Sequence, residues 1–287
     1  MYEKVAKNNL IDIIKSKADN TIKYVFNSNG DILEFCYIDK NDGKDIICVP
    51  SQSSCNLGCK FCHLTGLNLP VRVVANIEYY AYIRYIVDSL KNKNPILLIS
   101  FMGCGEPLLN LDRIMVAAGI LRDHYSKEYK VVRFAISSLV PNWNKFKRFQ
   151  RWVIKDNLLF KFHYSLHTTD EDLRKHLMPA AKPTRISLIE DYVNSTHNSA
   201  EIHYTLISGV NDKEIDSHHL ICLLQNKPIS VKLLKFNEKN DVDLKGSDSV
   251  FRFKKELEDG GLNVEYYEPP GADIGASCGQ FLLDYYK

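Results

Sequence analysis

Short apolar runs alternate with helical patterns along most of this chain, and few folds can accommodate that order. Six of the runs are rich in Val, Ile, Phe and Tyr, as buried strands are. They are Asp45–Pro50, Ile96–Met102, Val131–Ser137, Phe160–Leu166, Ile202–Ile207 and Val231–Phe236. Strands that alternate with helices favour parallel βαβ units, in either an open doubly wound sheet or a partial barrel. In both arrangements, active-site residues are expected at the carboxyl ends of the strands.

The intervening helices are placed by apolar residues that repeat with helical spacing. Asn76 can cap the first helix, and Thr184 and Ser249 precede two later ones. Gly260 and Gly261 are expected to end the last of them. The four apolar faces are Tyr80, Ile83, Val87 and Leu90; Leu111, Ile114, Ala118 and Leu121; Ile186, Ile189 and Val193; and Val250, Phe253 and Leu257.

The chain has 287 residues, of which 45% are hydrophobic and 25% charged, as in ordinary globular proteins. A short strand region begins after the first 20 residues and runs to about Ile38. The turn Asn41–Gly43 then separates it from the alternating pattern. The sequence therefore predicts an N-terminal extension over residues 1–40 and a core domain over residues 41–287.

The N-terminus lacks the apolar segment of a secretion signal, and the run Ile96–Met102 is too short to cross a bilayer. We therefore expect a cytoplasmic protein without membrane contact, whose eight cysteines serve metal or redox chemistry. The net charge is only +2, whereas many nucleic-acid binders are more basic. The densest basic patch is interpreted as a solvated helix face, with a local nucleic-acid contact as the alternative. It comprises Lys145, Lys147, Arg148, Arg151 and Lys155.

Three cysteines with the spacing CxxxCxxC follow the first of the six strands: Cys55, Cys59 and Cys62. Most protein iron–sulfur clusters use four cysteines, so three thiolates leave one iron of a [4Fe–4S] cluster open to a small molecule. The alternative is a structural zinc site, for which His63 is the nearby candidate for a fourth ligand. Zinc spacings more often come as paired CxxC units, which favours the iron–sulfur cluster.

A second motif, Gly-Cys-Gly-Glu-Pro at Gly103–Pro107, follows the second strand. Its glycines would let the backbone approach a ligand closely. The Glu106 carboxylate could accept hydrogen bonds from an ammonium group. On its own the motif could be a simple turn, but its position after the next strand favours a binding loop.

These motifs resemble the signature of the radical S-adenosylmethionine (SAM) superfamily, with Phe61 at the position where an aromatic residue is usual. The resemblance implies a partial (β/α)6 barrel preceded by a small strand extension. It also implies a [4Fe–4S] cluster on the three cysteines, with SAM bound at the open iron and cleaved to a 5′-deoxyadenosyl radical. In such enzymes the cofactor carries the difficult chemistry, and the protein supplies position and shielding.

Further segments resemble the dual-specificity rRNA/tRNA adenine carbon-2 methyltransferases and the related chloramphenicol–florfenicol resistance methyltransferase, which acts on carbon 8. Together they cover most of the chain in the family's order. The resemblance implies a methyltransferase that modifies an sp2 ring carbon, adenine in rRNA or tRNA. We also expect a flavodoxin-type electron donor and a monomeric protein. The matching segments are Ile47–Gln52, Gly105–Asn110, Ser165–His167, Leu177–Pro179, Gly209–Asp212 and Asp273–Gln280.

The same resemblance implies roles for individual residues. Cys278 matches the cysteine that accepts a methyl group, Cys48 the second catalytic cysteine, and Glu34 a proton acceptor. Ala135 stands where the family has a further SAM-contacting serine, and Ser137 could take its place. The remaining SAM-contacting positions are Gly105, Glu106, Ser165, Leu166, His167 and Asn237.

Two cysteines suit the chemistry, because the edge carbon of adenine is not nucleophilic and a thiolate can take the methyl group first. The methyl carbon on Cys278 would then add to the ring, and Cys48 would attack the Cys278 sulfur, forming a disulfide and releasing the product. Cys36, Cys104 and Cys222 are interpreted as packing residues. His218, His219 and Cys222 have helical spacing that could bind a metal, but a plain helix face is favoured.

Three departures from the family pattern bear on the substrate. The accessory helical domain is not expected here, Tyr267–Ala272 has no basic residue where the family has arginines, and Ala180–Lys182 differs from the family. Phosphate contacts dominate RNA affinity, so lost arginines matter. The first alternative is therefore the same chemistry on a nucleotide, natural product or other non-RNA substrate. The second is a non-catalytic iron–sulfur or zinc-binding module.

Overall fold

The computed structural model of the chain describes residues 2–238, 243–277 and 280–282. By their contacts the residues form two compact units, each described separately below. The first unit comprises Met1–Asn56, Gly66–Ile136 and Pro270–Lys287, and the second comprises Leu57–Thr65 and Ser137–Pro269. Among the described residues, no helix is long and apolar enough to cross a membrane.

The first unit is built on a sheet whose strands follow chain order. Strands β1 to β4 run antiparallel to one another, whereas β4, β5 and β6 are parallel. Single 3-10 turns occur at Pro107–Leu109 and Ala272–Ile274. The elements are α1 (Tyr2–Asn9), β1 (Leu10–Lys15), β2 (Ile22–Ser28), β3 (Asp31–Ile38), β4 (Lys44–Cys48), α2 (Asn76–Asp88), β5 (Ile96–Phe101), α3 (Leu111–Tyr125) and β6 (Val131–Ser138), whose last two residues belong to the second unit.

In the second unit every strand pair is parallel, and the strands again follow chain order. Helices connect successive strands, which is the crossover that parallel pairing requires. The elements are α4 (Trp143–Lys155), β7 (Phe160–Ser165), α5 (Glu171–Leu177), α6 (Ile186–Thr196), β8 (Ala200–Thr205), α7 (Glu214–Leu224), β9 (Ile229–Leu234), α8 (Val250–Asp259) and β10 (Val264–Tyr267).

All six predicted strands are present, as β4 to β9, and the predicted α/β class with an N-terminal strand extension is confirmed. The extension is the antiparallel set β1 to β3. Four of these elements were not predicted from the sequence: α1, β1, α5 and β10. Helix α5 has only seven residues. Helix α1 is largely polar, β1 leaves Ile11 and Ile13 exposed, and β10 has only four residues, so none carries a strong burial pattern.

The predicted cap of α2 was wrong. The helix is capped at Ala75, whose backbone N–H donates to Glu78 Oε2 at 2.7 Å. Its buried stripe includes Tyr79 and Tyr82, whereas Tyr80 is only half-buried. Of the predicted apolar face, Ile83 and Val87 are fully buried, whereas Tyr80 and Leu90 are half-buried. By contrast, α8 begins after Ser249 and ends at Gly260, as predicted.

Each unit packs aromatic rings against its sheet. In the first unit Phe26 of β2 stacks on Tyr82 of α2, with ring centroids 4.0 Å apart and planes 5° from parallel. In the second unit Phe149 of α4 stacks on Tyr192 of α6 at 5.6 Å. Such pairs add about 0.5–1.5 kcal/mol beyond the burial of their area. They fix the helices on the sheet and so set where the strand-end loops emerge.

The sheet of the second unit buries a charged cluster on β7, β8 and β9. His163 Nδ1 and His203 Nε2 face Glu201 Oε1 at 3.2 and 3.7 Å, and all three side chains are buried. Two histidines and a carboxylate form a common metal-ligand set. Here, however, Lys232 Nζ lies 3.0 Å from the same oxygen, and Lys161 Nζ lies 2.5 Å from Glu201 Oε2. The two ammonium groups already balance the carboxylate, so an added cation would be repelled.

Burial governs the titration of this cluster. Burial and the neighbouring His203 together lower the pKa of His163 to about 3, so the ring is neutral at physiological pH. Burial also lowers the pKa of His203. Burial alone would raise the pKa of Glu201, but the two histidines and Lys232 outweigh it and hold that pKa far below its usual range. The cluster is therefore one carboxylate held by ammonium groups and neutral imidazoles.

Acid should destabilise the protein through His163. The unfolded chain protonates a histidine near pH 6.5, whereas the folded pKa is about 3. Between these values the unfolded state binds more protons, so the unfolding free energy should fall by up to about 1.4 kcal/mol per pH unit as the pH decreases. Urea unfolding from pH 7.5 to 5, followed by the fluorescence of Trp143 and Trp152, should show this slope.

The substitution His163→Phe removes that titrating group and should make the pH dependence shallower by about 1.4 kcal/mol per pH unit. The matched control is His219→Gln, since His219 is exposed on α7. An identical pH dependence in the wild type and in His163→Phe would contradict the burial of a neutral His163.

Candidate active site

The predicted cluster cysteines lie on the segment that follows β4, and all three are half-buried. Cys55 belongs to the first unit, and Cys59 and Cys62 to the second. Within the second unit this segment is closed by its own bonds. The Cys62 N–H donates to Cys59 O at 3.0 Å, and Thr65 Oγ1 donates to the same carbonyl at 2.7 Å. These bonds hold Cys59 and Cys62 on one tight turn.

An apolar platform of the second unit supports this turn. It consists of Leu139, Leu177 and Met178, against which Cys59 and Phe61 pack. The Lys60 N–H also donates to Leu177 O at 2.9 Å. The segment Leu177–Pro179, found in the sequence only by resemblance, therefore has a physical role as the floor of the cysteine turn.

In the first unit the segment after β4 packs on the loop after β5. Ser51 N–H donates to Cys104 O at 2.7 Å, and Gly103 N–H donates to Val49 O at 3.1 Å. A Cβ on Gly105, whose φ is +98°, would lie 2.6 Å from Ser51 Oγ. Gly105 is thus required by the contact between the two segments, a role that the expected approach to a ligand did not anticipate.

The polar groups of that contact are bonded to one another. Glu106 N–H donates to Gln52 Oε1 at 2.8 Å, and Glu106 Oε1 accepts from Leu108 N–H at 3.0 Å. Asn110 Nδ2 donates to Ser51 O at 2.7 Å and to Val74 O at 3.1 Å. The side chains of Glu106 and Asn110 are both buried. The Glu106 carboxylate is therefore held at a fixed place beside the segment that leads to Cys55.

In the second unit the predicted SAM-contacting positions Ser165–His167 lie at the carboxyl end of β7. Ser165 Oγ lies 3.3 Å from Ser137 Oγ, which places the proposed replacement serine beside it. Leu166 and His167 donate their N–H groups to His203 O at 3.2 and 3.3 Å. The strand end therefore continues its pairing with β8 beyond the regular ladder.

His167 has a left-handed backbone with φ of 59° and is buried. Thr205 N–H donates to His167 Nδ1 at 3.0 Å, and Asn211 Nδ2 donates to His167 O at 2.6 Å. Asn211 Nδ2 also donates to Thr205 O at 2.8 Å, and its Oδ1 accepts from Ile207 N–H. Asn211 thus fastens the ends of β7 and β8 together. Burial lowers the pKa of His167 to about 3, so its ring is neutral.

Arg174 on α5 is a buried residue that the sequence analysis missed. Its Nη2 donates to Ser165 O at 3.0 Å and to Leu139 O at 3.3 Å, and its Nη1 donates to Lys182 O at 2.9 Å. Burial lowers its pKa, opposed by Tyr164, Glu171 and the nearby Cys59. A buried guanidinium near Cys59 favours the thiolate that an iron ligand must be. An arginine in a polar helix looks exposed in the sequence, so no pattern marked it.

Asn237 follows β9, and its carbonyl accepts a hydrogen bond from His63 Nε2 at 3.1 Å. A histidine binds zinc through one of its two ring nitrogens. Because Nε2 of His63 is engaged with Asn237, only Nδ1 would remain for the zinc site considered as the alternative. The hydrogen bond also fixes Asn237 beside the cysteine turn within the second unit.

The remaining predicted catalytic residues lie in the first unit. Glu34 on β3 is buried, and its Oε1 pairs with Lys23 Nζ of β2 at 3.2 Å, each side chain being 1% exposed. Cys48 on β4 lies opposite Cys36 in the register with β3. Cys36 is also opposite Lys23 across β2. Since cross-strand partners and alternate residues share a face, these four side chains lie on one face of the sheet.

Cys278 lies outside the described residues, but both of its flanks are described. Ser277 is buried, and its Oγ donates to Pro270 O at 2.9 Å. Beyond Cys278, Gln280 N–H donates to Ser277 O at 3.0 Å, and Leu282 N–H donates to Glu34 Oε2 at 2.8 Å. The C-terminal segment is therefore bound within the first unit to the strand that carries Glu34.

The remaining cysteines differ in their burial. Cys36 and Cys104 are buried, as expected for packing residues, but the expectation was wrong for Cys222, which is exposed. Helix α7 buries Ser217, Leu220 and Leu224, and Cys222 lies off that stripe. His218 and His219 are exposed as well, so all three residues lie on the outer face of α7.

Comparisons with known proteins agree with this arrangement. The sequence profile of the Radical SAM superfamily matches residues 49–221. The probable dual-specificity RNA methyltransferase RlmN of Dictyoglomus turgidum is 30% identical over 281 residues, covering 93% of this chain and 77% of that protein. The dual-specificity RNA methyltransferase RlmN of Geotalea uraniireducens is 30% identical over 278 residues, covering 94% and 77%.

The solved structure of a radical SAM methyltransferase from Sphaerobacter thermophilus is similar in fold, with a TM-score of 0.82 at 24% identity over 94% of this chain and 80% of that chain. Streptococcus suis SuiB bound to S-adenosylmethionine has a TM-score of 0.59 at 17% identity over 79% of this chain and 51% of that chain. These likenesses confirm the predicted fold class. The profile and the curated relatives together establish that the chain belongs to the radical SAM superfamily and, within it, to the family of the dual-specificity RNA methyltransferases.

Proposed function

We propose that this protein methylates a ring carbon of adenine in RNA, with Cys278 as the carrier of the methyl group. One observation carries the proposal. The C-terminal segment that bears Cys278 is bonded through Leu282 to Glu34, on the sheet face that also holds Cys48. This bond attaches the described C-terminal residues to the unit that carries Glu34 and Cys48, in a chain whose curated relatives are RNA methyltransferases.

The cysteine turn fits an iron–sulfur cluster in its donor chemistry. Cys55, Cys59 and Cys62 are half-buried, and buried Arg174 lies near enough to Cys59 to favour its thiolate form. We assign the three thiolates to a [4Fe–4S] cluster whose open iron holds SAM. When bound, this pair supplies the methyl group and the one-electron chemistry that breaks a C–H bond. The electron would come from a flavodoxin-type donor.

The strand ends hold SAM in this proposal. Glu106 would accept hydrogen bonds from its ammonium group, and its carboxylate is fixed for that purpose by Leu108 N–H. Gly105, Ser165, Leu166, His167 and Asn237 would complete the contacts. Because Arg174 and Asn211 bind the backbone of Ser165 and His167, they would act as positioning residues.

The chain's own residues would move the methyl carbon. Cys278 would take the methyl group on its sulfur and deliver that carbon to the ring. Glu34 would accept the proton that the ring carbon loses, and the unpaired electron of the adduct would pass to the bound cluster. The Cys48 thiolate would then attack the Cys278 sulfur and form an S–S bond as the bond from that sulfur to the transferred carbon breaks. The electron pair of the broken bond would go to the transferred carbon, which would take up a proton to become the methyl group of the product.

The Lys23–Glu34 pair bears on this role. Burying two charges costs several kcal/mol per ion before their attraction is counted, so a buried pair is weak evidence for stability alone. The Lys23 ammonium group at 3.2 Å and the Leu282 N–H at 2.8 Å hold the Glu34 carboxylate at a fixed position on this face of the sheet. The contribution of the pair is therefore the placement of Glu34.

A second candidate is the same chemistry on a nucleotide or natural product. It is favoured by the segment Tyr267–Ala272, which contains no basic residue directly before the Asp273 motif. Mass spectrometry of rRNA and tRNA from cells with and without the gene decides between the two. A methyladenosine that depends on the gene supports the RNA substrate, and unchanged RNA supports the second candidate.

Removal of one cluster ligand should abolish the cofactor. We expect Cys59→Ala, prepared anaerobically, to lose both its iron and its cleavage of SAM, because two thiolates do not hold the cluster. Iron analysis and the brown absorbance of the cluster check this. Cys222→Ala is the matched control, since this cysteine is exposed on α7 and should leave both properties intact. A full cluster in Cys59→Ala would overturn the ligand assignment.

Cys278 should be found partly S-methylated when the protein is made in cells with an intact cluster. Peptide mass spectrometry should show one additional methyl group on the C-terminal peptide, absent in Cys59→Ala. An unmethylated Cys278 together with preserved activity in Cys278→Ala would assign the enzyme to another radical SAM mechanism.

Loss of Cys48 should trap the covalent intermediate. Cys48→Ala should form the cluster, methylate Cys278 and cleave SAM, but it should then remain joined to its substrate through Cys278, since no thiolate can attack that sulfur. Intact-protein mass spectrometry would show the added mass and identify the substrate. Cys36→Ala is the control, because Cys36 lies opposite Cys48 but is fully buried. Normal turnover by Cys48→Ala would refute its role.

A further inference from the structure

Helix α4 presents a row of positive charge that the proposed active site does not use. Lys147, Arg151 and Lys155 are four residues apart and all exposed, so they lie on one face of the helix at intervals of about 6 Å. We call these three residues the α4 stripe. The opposite face of α4 is apolar and buried, and it consists of Trp143, Phe146, Phe149, Trp152 and Val153.

The α4 stripe has no counter-charge on its own helix, because Trp143–Lys155 contains no acidic residue. Like charges four residues apart destabilise a helix by about 0.2–0.5 kcal/mol per pair. Helix α8 of the same unit shows the usual arrangement. There Arg252, Lys254 and Lys255 pair with the acidic residues four positions later. The difference makes the α4 stripe a suitable surface for a negatively charged partner.

Two acidic side chains that contact α4 are bonded to its buried face. Asp191 of α6 accepts a hydrogen bond from Gln150 at 2.7 Å, and Asp156 accepts one from Trp152 at 2.6 Å. Both contacts are made by residues of the buried face. The first bond attaches α4 to α6, and the second lies at the C-terminal end of α4. The outer face of the helix remains basic.

The start of α4 is tied to the carboxyl end of β7. Arg174 bonds both Ser165 O, at 3.0 Å, and Lys182 O, at 2.9 Å. The adjacent Pro183 carbonyl accepts a hydrogen bond from Trp143 Nε1 at 3.0 Å. Two further basic side chains, Lys182 and Arg185, are exposed on this connection. Positive charge therefore extends from the candidate SAM-contacting strand end along the outside of α4.

We propose that the α4 stripe, with Lys182 and Arg185, binds the phosphate backbone of RNA beside the target base. This inference rests on the proposed RNA substrate and adds the surface that holds it. The face carries cations and no exposed aromatic ring, so it can contact phosphates but cannot stack on bases. Its contribution is therefore independent of sequence. A membrane-surface helix would need an exposed apolar face, and α4 exposes only Ile154.

The test compares two triple variants of the full-length, cluster-containing enzyme. The first is Lys147→Gln, Arg151→Gln and Lys155→Gln, which keeps good helix-forming residues. The control is Lys235→Gln, Lys254→Gln and Lys255→Gln, which removes the same charge from residues of the second unit that have acidic partners. The probe is a fluorescently labelled tRNA transcribed in vitro, and its anisotropy is measured from 50 to 200 mM KCl.

We expect the α4 variant to bind the tRNA about tenfold to hundredfold more weakly at 100 mM KCl. Each lost phosphate contact should reduce the slope of log K against log salt by roughly 0.7–0.9, so three should reduce it by about 2–3. The control should stay within about twofold of wild type. Release of 5′-deoxyadenosine without RNA should be unchanged in both, and a tRNA of unrelated sequence should lose the same affinity as the first.

Equal tRNA binding by wild type and the α4 variant would overturn the proposal, as would an equal loss in the control. Unchanged tRNA binding with lost binding to vesicles of phosphatidylserine and phosphatidylcholine would assign the stripe to a membrane instead. A wild-type enzyme that methylates its Cys278 but binds no tRNA would refute both the role of the α4 stripe and the RNA substrate. The role of Cys278 as methyl carrier would not be affected by that result. Failure of the stripe alone, with gene-dependent methyladenosine intact, would leave the proposed function unaffected.

Discussion

Backbone N–H and C=O groups lose their ladder partners where parallel strands end, and buried groups of this kind must find others. In this chain the side chains that supply those partners also place the candidate site. Asn110 satisfies Ser51 O in the first unit. Arg174 and Asn211 satisfy Ser165 O and His167 O in the second. Ser165 and His167, two of the positions proposed to contact SAM, are therefore fixed by bonds to their backbone carbonyls.

Sequence patterns predicted the strands well because burial on both faces gives continuous runs of apolar residues. The same reasoning explains why some buried residues were not predicted. Arg174, Lys23 and Glu201 are charged residues inside the protein, and a charge in a sequence is ordinarily taken as exposed. Their burial depends on partners far away in the chain, such as Glu34 for Lys23, which no local pattern reveals.

The candidate site shows a second limit of prediction from the sequence. Resemblance identified the segments Leu177–Pro179 and Gly209–Asp212 without saying what they do, and the structure supplies the physical reason for each. Met178 is part of the floor under the cysteine turn, and Asn211 joins two strand ends. Such roles require knowing which backbone groups lie nearby. Tertiary contacts define them, so composition and spacing could not.

The face shared by Lys23, Glu34, Cys36 and Cys48 raises a question of selectivity, because a second thiol lies opposite the proposed resolving cysteine. Cross-strand partners have α-carbons about 4.5–5.5 Å apart, which is within the range that a disulfide can span. Proximity alone would therefore allow Cys36 to pair with Cys48. Accessibility separates the two thiols, because thiol–disulfide exchange requires that the attacking thiolate can reach the attacked sulfur.

Cys36 is fully buried in the core, whereas Cys48 is half-buried at the end of β4, where the chain leaves the sheet. A neighbouring sulfur can therefore be reached from Cys48 but not from Cys36. The C-terminal segment is bonded through Leu282 to Glu34, so the proposed base and resolving thiol lie on the sheet face to which that segment is attached. Burial of one thiol and partial exposure of its cross-strand neighbour would then be the means by which the proposed enzyme releases its product without trapping itself in an unproductive disulfide.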